Sequence, residues 1–207
     1  MGTVTISMEV ELGWGDHDTG DLQRLSEDGV IERQYLLNLL QLADEYSIPI
    51  SFDIVGHLFL EGCSGSHNGP HNDGWFQTDP GTNMQSDGLF YAPDMVGWIH
   101  GAETEHELCT HAFSHVLFDE VSQEVSEWEL KMVQQLHREH VGKNTVSLVP
   151  PRHQSPSYDV LSDHDIRVFR PAMCRSAKTR IHRFRELLAG PLPQSPLRKT
   201  DGIVETY

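Results

Sequence analysis

Lysine, cysteine and long apolar runs are all scarce in this sequence of 207 residues. No stretch approaches the roughly 18 apolar residues that a membrane helix needs, so we expect no membrane span. Residues 1–6 lack the basic segment and apolar stretch of a secretory signal, and we therefore expect a cytoplasmic protein. Cys63, Cys109 and Cys174 are widely spaced and odd in number, which argues against a disulfide framework or a CxxC metal knuckle. We expect all three to be small buried residues.

Positive charge is the other shortage, because 15 Lys and Arg face 31 Asp and Glu, for a formal net charge of −16. Residues 1–123 hold 21 acidic residues against Arg24 and Arg33 alone, a net of −19, whereas residues 124–207 carry a net of +3. An acidic surface with few lysines suits high salt, where screening weakens self-repulsion, so we expect a halophilic protein. The same charge argues against a nucleic-acid partner, because phosphate binding needs a basic face.

Strand and helix patterns alternate along the chain, which indicates a parallel β/α architecture in one domain. We predict strands over residues 3–10, 48–55, 106–111, 147–149, 166–169 and 203–205, and helices over 33–46, 92–100, 122–139, 155–163 and 180–188. Residues 56–91 are rich in Gly, Ser, Asn and His instead, which is typical of a lid or binding loop. In parallel β/α folds the chemistry collects at the C-terminal ends of the strands.

Two of the 13 histidines stand apart from the others. His111 and His115 follow the third predicted strand, and their four-residue spacing lets two imidazoles converge on one cation if the chain turns helical there. Taken alone, this spacing is a weak signal. For the histidines in loops or on polar helix faces we expect solvated side chains: His17, His67, His71, His137, His140 and His164.

Two acidic residues close the first predicted strand. Glu9 and Glu11 are two residues apart, so their carboxylates project from the same face and repel each other unless a cation or an arginine compensates. An exposed edge of the sheet is the alternative reading. One carboxylate with two histidines is a recognised metal-ligand set with open positions, and the remaining carboxylate is then free to act as a base.

A third candidate, Arg152, comes directly after the fourth predicted strand. An arginine at this position can neutralise and orient a catalytic carboxylate. Capping of the next helix is an equally good reading of the same residue.

These three segments, in this order, resemble the motifs of the polysaccharide deacetylase family (carbohydrate esterase family 4, the nodulation-protein-B homology domain). Residues 7–15 (SMEVELGWG), 107–115 (ELCTHAFSH) and 151–154 (PRHQ) are similar to its first three motifs, and residues 51–59 to its second strand. The resemblance implies a distorted, incomplete parallel (β/α) barrel of the seven-stranded type. It also implies that residues 1–207 form a single domain that is truncated at its C-terminus.

The resemblance assigns a role to each candidate residue. It implies that Glu11, His111 and His115 hold a divalent metal, with Zn²⁺ as the default, that Glu9 is the base that activates water, and that Arg152 orients Glu9. The implied reaction is metal-dependent removal of an acetyl group from an N- or O-acetylated carbohydrate. Two features depart from the family: Glu9 stands where Asp is usual, and the late-strand histidine that serves as general acid has no visible match.

Trp14, Trp75 and Phe76 are candidates to stack on sugar faces, with ordinary core packing as the alternative. Two other functions remain open. One is a carbohydrate-binding domain of the same fold with weakened catalysis. The other is binding of an anionic polymer by the stretch 167–185, which carries seven Lys and Arg and no acidic residue. The sequence does not determine the oligomeric state.

Overall fold

The fold is a seven-stranded, mostly parallel sheet with helices packed against it. The computed structural model describes residues 5–171, 197–200 and 202–206. The strands are β1 (Ser7–Val10), β2 (Ser51–Ile54), β3 (Glu107–Thr110), β4 (Ser147–Leu148), β5 (Val168–Phe169), β6 (Leu197–Thr200) and β7 (Ile203–Thr206). The helices are α1 (Val30–Tyr46), α2 (Pro93–His100), α3 (Gln123–Val141) and α4 (Tyr158–Asp163). The helix predicted over residues 180–188 lies outside the described residues.

The strand order is β1-β2-β3-β4-β5-β7-β6, so the first five strands lie side by side in chain order. These five and β7 are parallel, and β6 pairs antiparallel with β7. Within the described residues the sheet does not close on itself, which confirms the prediction of a distorted, incomplete barrel. The sequence analysis missed β6. None of the helices described is long and apolar enough to cross a membrane.

Helix α3 shows why the chain folds locally as predicted. The Ser122 hydroxyl accepts a hydrogen bond from the Val125 N–H, and Gly142 ends the helix in the left-handed conformation. Helix α1 buries Leu36, Leu40 and Ala43, a spacing of four and three residues that forms one narrow stripe. The other leucines of this helix, Leu37, Leu39 and Leu42, are exposed or half-buried.

Alternation along the strands gives the sheet one apolar and one polar face. Phe52 and Ile54 of β2 belong to the same hydrophobic cluster as Leu36 and Leu40 of α1. The intervening residues point the other way, and Asp53 with its neighbours lines a cavity of about 240 Å³ inside the curved sheet. Polar side chains therefore occupy the interior of the barrel, below the edge at which the strands end.

Candidate active site

Three side chains meet at the edge where β1 and β3 end. Glu11 follows β1, and one of its oxygens, Oε1, lies 2.9 Å from His111 Nε2 and 3.4 Å from His115 Nε2. Both histidines are buried, whereas the Glu11 side chain is 29% exposed. The structure thus brings together the three residues that the sequence analysis proposed as metal ligands, in a group that can hold a metal ion.

The protonation of His111 indicates that this group fits a cation. His111 Nδ1 lies 2.7 Å from the carbonyl oxygen of Val149, which only accepts hydrogen bonds, so Nδ1 carries the proton. In a neutral ring the buried Nε2 then presents a lone pair to Glu11, and it makes no hydrogen bond of acceptable geometry within the part of the chain that is described. Two acceptor atoms this close repel unless a cation, either a proton or a metal ion, joins them. Orientation of a ligating imidazole through its other nitrogen is the arrangement found in metal sites.

A positive charge between Glu11 and the two histidines also stabilises the Glu11 carboxylate. Burial would raise the pKa of the Glu11 carboxyl, but hydrogen bonds and charge attraction from His111 and His115, with a proton between the atoms, outweigh that effect and hold the pKa well below its usual range. Glu11 is therefore a carboxylate at neutral pH, the form in which it can bind a metal.

The loop after β3 does not turn helical, yet His111 and His115 converge as their spacing allows, by a different backbone path. Ala112 and His115 adopt left-handed backbone conformations, with φ of 64° and 61°, which turn the chain back on itself. The buried Glu129 of α3 holds this turn, since its Oε2 accepts hydrogen bonds from the N–H groups of Phe113 (2.7 Å) and Ser114 (2.8 Å). A side-chain anchor from a neighbouring helix, rather than a helical repeat, places the second histidine.

Glu9 belongs to β1, two residues before Glu11, and faces the inside of the curved sheet. In register with Asp53 of β2, it lies 3.6 Å from Arg170 through Oε1, and its side chain is 41% exposed. Arg170 also approaches Asp53, at 3.4 Å. The repulsion expected from two carboxylates on one face is thus compensated twice, by Arg170 for Glu9 and by the two histidines for Glu11.

Arg152 does not pair with Glu9 in the structure, so the predicted ion pair between them is wrong. The Arg152 guanidinium instead binds both oxygens of Asp18, at 2.9 and 3.0 Å. The physical reason is the backbone, because Arg152 and His153 both have positive φ and turn the chain after β4 away from β1.

The three aromatic candidates differ in accessibility. Trp75 is half-buried and lines a groove of about 460 Å³ together with Asp18 and His71. The Trp75 ring lies 4.7 Å from the ring of His17, which in turn lies 6.2 Å from that of His115, so His17 lies between this groove residue and the metal-ligand triad.

The other two aromatic candidates pack against the core. Phe76 is partly buried, with its ring 6.3 Å from that of Trp14. Trp14 has no exposed surface and lies between the rings of His17 and His57, so the prediction that it stacks on a sugar is wrong.

Several histidines that were expected to be solvated are buried. His17 and His137 are at most 3% exposed, and burial lowers the pKa of both rings, that of His137 to about 4. His71 pairs with the buried Glu129 at 2.8 Å, and the side chain of His67 is 8% exposed. His140 is exposed as expected, and His164 is half-buried.

The structure describes two of the three cysteines and only the beginning of the basic stretch 167–185. Cys109 is buried as expected, whereas Cys63 is half-buried, and it contacts polar groups as well as the hydrophobic cluster of the core. Cys174 lies outside the described residues, as does most of the stretch 167–185.

Solved structures of known proteins share this fold, although no family model and no curated protein matches the sequence. A candidate polysaccharide deacetylase from Mycobacterium smegmatis superposes with a TM-score of 0.52 and 14% identity, over 80% of this chain and 49% of that chain. A carbohydrate esterase family 4 pseudoenzyme from Bacillus anthracis gives a TM-score of 0.48 and 11% identity, over 80% and 41% of the two chains. A family 4 acetyl xylan esterase from Clostridium thermocellum, in complex with a cobalt ion, gives 0.42 and 14%, over 84% and 62%.

The fold is therefore that of the polysaccharide deacetylases, and the resemblance drawn from the motifs is confirmed at the level of fold. This chain spans about half the length of the Mycobacterium smegmatis protein. At these identities the likeness concerns the path of the backbone, and the chemistry has to be argued from the side chains of this chain.

Proposed function

We propose that the protein is a metal-dependent hydrolase that removes acetyl groups from N- or O-acetylated carbohydrate. The observation that carries the proposal is the triad of Glu11, His111 and His115 at the C-terminal edge of a deacetylase-type sheet. Two neutral imidazoles and one carboxylate leave open positions around a cation, which is the arrangement of catalytic zinc sites. The groove that Trp75 lines, about 460 Å³ in volume, is large enough for a sugar residue.

Each ligand is held by the surrounding fold. Val149 orients His111 through its carbonyl oxygen, and Glu129 fixes the turn that carries His115. A divalent metal in this triad, for which Zn²⁺ is the best match to the ligand set, supplies a Lewis acid that polarises an acyl carbonyl and lowers the pKa of water. The two histidines are buried, whereas the Glu11 side chain is 29% exposed, so the triad is accessible from the side of Glu11.

Glu9 is the proposed base. It is the second carboxylate on the same strand face. Its Oε1 lies 3.6 Å from the guanidinium of Arg170, on the inner side of the sheet. A carboxylate in this role accepts one proton from the attacking water and returns it to the leaving group. Because Asp is usual at this position in the family, Glu9→Asp tests whether the longer side chain limits turnover.

The test is release of acetate from acetylated sugars by the full chain loaded with Zn²⁺. Chitin oligosaccharides and acetylated xylan cover the N-acetyl and O-acetyl classes, and Glu11→Gln serves as the metal-free control. Acetate release by the wild type that disappears in the control supports the proposal. Equal rates in both proteins would refute it.

A second candidate is a carbohydrate-binding domain of the same fold with weakened catalysis. The observation that favours it is the ion pair between Glu9 and Arg170. The positive charge of Arg170 stabilises the Glu9 carboxylate and so makes Glu9 a weaker acceptor of a proton. The same assay distinguishes the two candidates, because a binding domain retains affinity for the oligosaccharides without releasing acetate.

A further inference from the structure

A second group of metal-ligating side chains lies in the segment 56–91, apart from the triad. His57 follows β2 in a short 3-10 helix (Gly56–Phe59), and Cys63, His67 and Asp79 lie in the loop beyond it. One ligand atom of each lies within 4.8 Å of the others. The side chains of His57 and Asp79 have no exposed surface, and that of His67 is 8% exposed.

The spacing of these four atoms matches the coordination shell of zinc. Their six separations run from 2.7 Å, between His67 Nε2 and Asp79 Oδ2, to 3.7 Å, between Cys63 Sγ and His57 Nε2. A tetrahedral zinc ion with bonds of about 2.0–2.3 Å keeps its ligands about 3.3–3.8 Å apart. The separations of 3.6 and 3.7 Å from Cys63 Sγ to the two histidines fall in this range, and the other four, 2.7–3.2 Å, lengthen by about 0.1–0.6 Å when the atoms move apart to bind the ion.

The proton on His57 Nδ1 leaves the Nε2 of that ring free to bind a cation, which would replace the thiol proton that Cys63 donates to Asp79 Oδ2 at 3.2 Å. His57 Nδ1 lies 3.0 Å from the carbonyl oxygen of Phe90 and so carries the proton of a neutral ring. Its Nε2 lone pair then faces Asp79 Oδ2 at 3.1 Å and His67 Nε2 at 3.2 Å. Lone pairs crowded in this way, in a buried site, repel one another unless a positive charge lies between them.

Hydrogen bonds from the surrounding loop prepare each ligand for one bond to a metal. The second oxygen of Asp79, Oδ1, accepts hydrogen bonds from the Tyr91 hydroxyl (2.8 Å) and the Gly81 N–H (3.0 Å), which leaves Oδ2 free to bind alone. Cys63 Sγ accepts the Gly65 N–H at 3.2 Å, an interaction that stabilises a thiolate. Such outer contacts orient metal ligands in known sites.

Two glycines allow the loop to fold tightly enough. Gly65 and Gly81 both have positive φ, and a Cβ on Gly81 would lie 2.9 Å from the Ser64 carbonyl oxygen. A hydrogen bond from the Cys63 N–H to the Thr82 carbonyl oxygen, 3.0 Å long, joins the two sides of the loop beside them. The backbone is thus shaped to bring Cys63 and Asp79 to one point.

We propose that His57, Cys63, His67 and Asp79 form a closed structural zinc site. A thiolate and a carboxylate neutralise the two charges of Zn²⁺, so the complex can lie in the protein interior. Four protein ligands leave no position for substrate, which distinguishes this site from the open triad. The ion fastens the loop that carries His71 and Trp75, two residues that line the groove.

Cobalt(II) is the probe, because this is the one of the two sites that contains sulfur. Adding Co²⁺ to the metal-free full chain should produce a thiolate-to-cobalt charge-transfer band in the near ultraviolet. Cys63→Ser should abolish the band, and Cys109→Ser, which removes another buried thiol, should retain it. Glu11→Gln should retain it too, because the triad has no thiolate, so the test is independent of the proposed hydrolase. Absence of the band in the wild type, or its persistence in Cys63→Ser, overturns the proposal.

A second measurement on the wild type covers the case in which Cys63→Ser fails to fold. Iodoacetamide labelling of the zinc-loaded protein, followed by peptide mass spectrometry, should show Cys63 protected. Removal of zinc with a chelator should raise its labelling rate by at least about tenfold, because a bound thiolate is not free to react. An unchanged rate at Cys63 overturns the proposal.

Discussion

Asp53 is the residue whose replacement should stabilise the protein most at alkaline pH. It is fully buried in the barrel interior, its Oδ1 has no hydrogen-bond partner in the described structure, and Arg170 lies 3.4 Å from Oδ2. Burial raises the pKa of Asp53 to about 7, Arg170 counteracts part of the shift, and the negative charges of Glu9 and Glu107 add to it. At pH 8 the folded protein therefore contains an unfavourable buried charge, which Asp53→Asn removes.

The sign and size follow from the two pKa values. The unfolded chain has a carboxyl pKa of about 3.9, so between pH 4 and pH 7 the folded state binds more protons than the unfolded state. Stability is therefore lost as pH rises through this window, by about 4 kcal/mol in total and by about 2–3 kcal/mol between pH 5 and pH 8. The asparagine amide does not titrate, so Asp53→Asn should lack this loss.

Urea unfolding at pH 5 and pH 8 measures the effect. Between pH 5 and pH 8 the unfolding free energy of Asp53→Asn should rise relative to that of the wild type by about 2–3 kcal/mol. Asp119→Asn, at an exposed aspartate, is the control and should leave the pH dependence unchanged. An equal pH dependence in wild type and Asp53→Asn would refute the reasoning.

Three further predictions concern the site and the charge. Glu9→Gln should keep bound metal and lower turnover by about 100-fold or more, whereas Glu11→Gln should lose both, as measured by metal analysis and acetate release; the reverse pattern would exchange the two roles. Trp75→Ala should weaken oligosaccharide binding by about 3–10-fold in calorimetry and, because it removes a hydrogen bond to Ser114, should also lower the melting temperature, but by less than Trp14→Ala, which should destabilise the fold by about 3–5 kcal/mol. The melting temperature of the wild type should rise with KCl into the molar range, and a flat or falling curve would contradict a halophilic protein.

The triad could be predicted from the sequence because the topology is regular. Alternating strands and helices predict a parallel sheet, and in such a sheet the residues that follow neighbouring strands meet at one edge. Glu11 directly follows β1, and His111 directly follows β3. Metal-ligating residues at such positions can be recognised from the sequence without knowledge of the loop conformations. The predicted and observed ends of most strands and helices differ by a few residues, and these differences do not change which residues follow each strand.

The partners of the side chains could not be predicted, because they depend on loop conformations that local propensity disfavours. Ala112, His115 and Arg152 all have positive φ, which non-glycine residues rarely adopt and sequence patterns do not indicate. These turns direct His115 to Glu11 without a helix, and they direct Arg152 to Asp18 instead of Glu9.

The burial of the histidines in the segment 56–91 could not be predicted for a different reason. Histidines in a segment rich in Gly, Ser and Asn were expected to be solvated, but the side chains of His67 and His71 are largely buried, each between an acidic partner and aromatic rings. A signal was present in the spacing of His57, Cys63, His67 and Asp79, four metal-ligating residues within one short segment. Because these residues do not follow a CxxC pattern, the site was not predicted from the sequence.

The distance along the chain between Glu11 and His111 has a consequence for the thermodynamics of folding. These two ligands are 100 residues apart in sequence, so the unfolded chain cannot hold them together, and metal bound at the triad favours the native state alone. By mass action, a free metal concentration of about 100 times the Kd adds about 2.7 kcal/mol to the stability of the whole fold. The loop from His57 to Asp79 is much shorter, so its ligands can retain some affinity in the unfolded chain, and the linkage to global unfolding is correspondingly weaker. Chelation should therefore lower the global unfolding midpoint mainly through the open site.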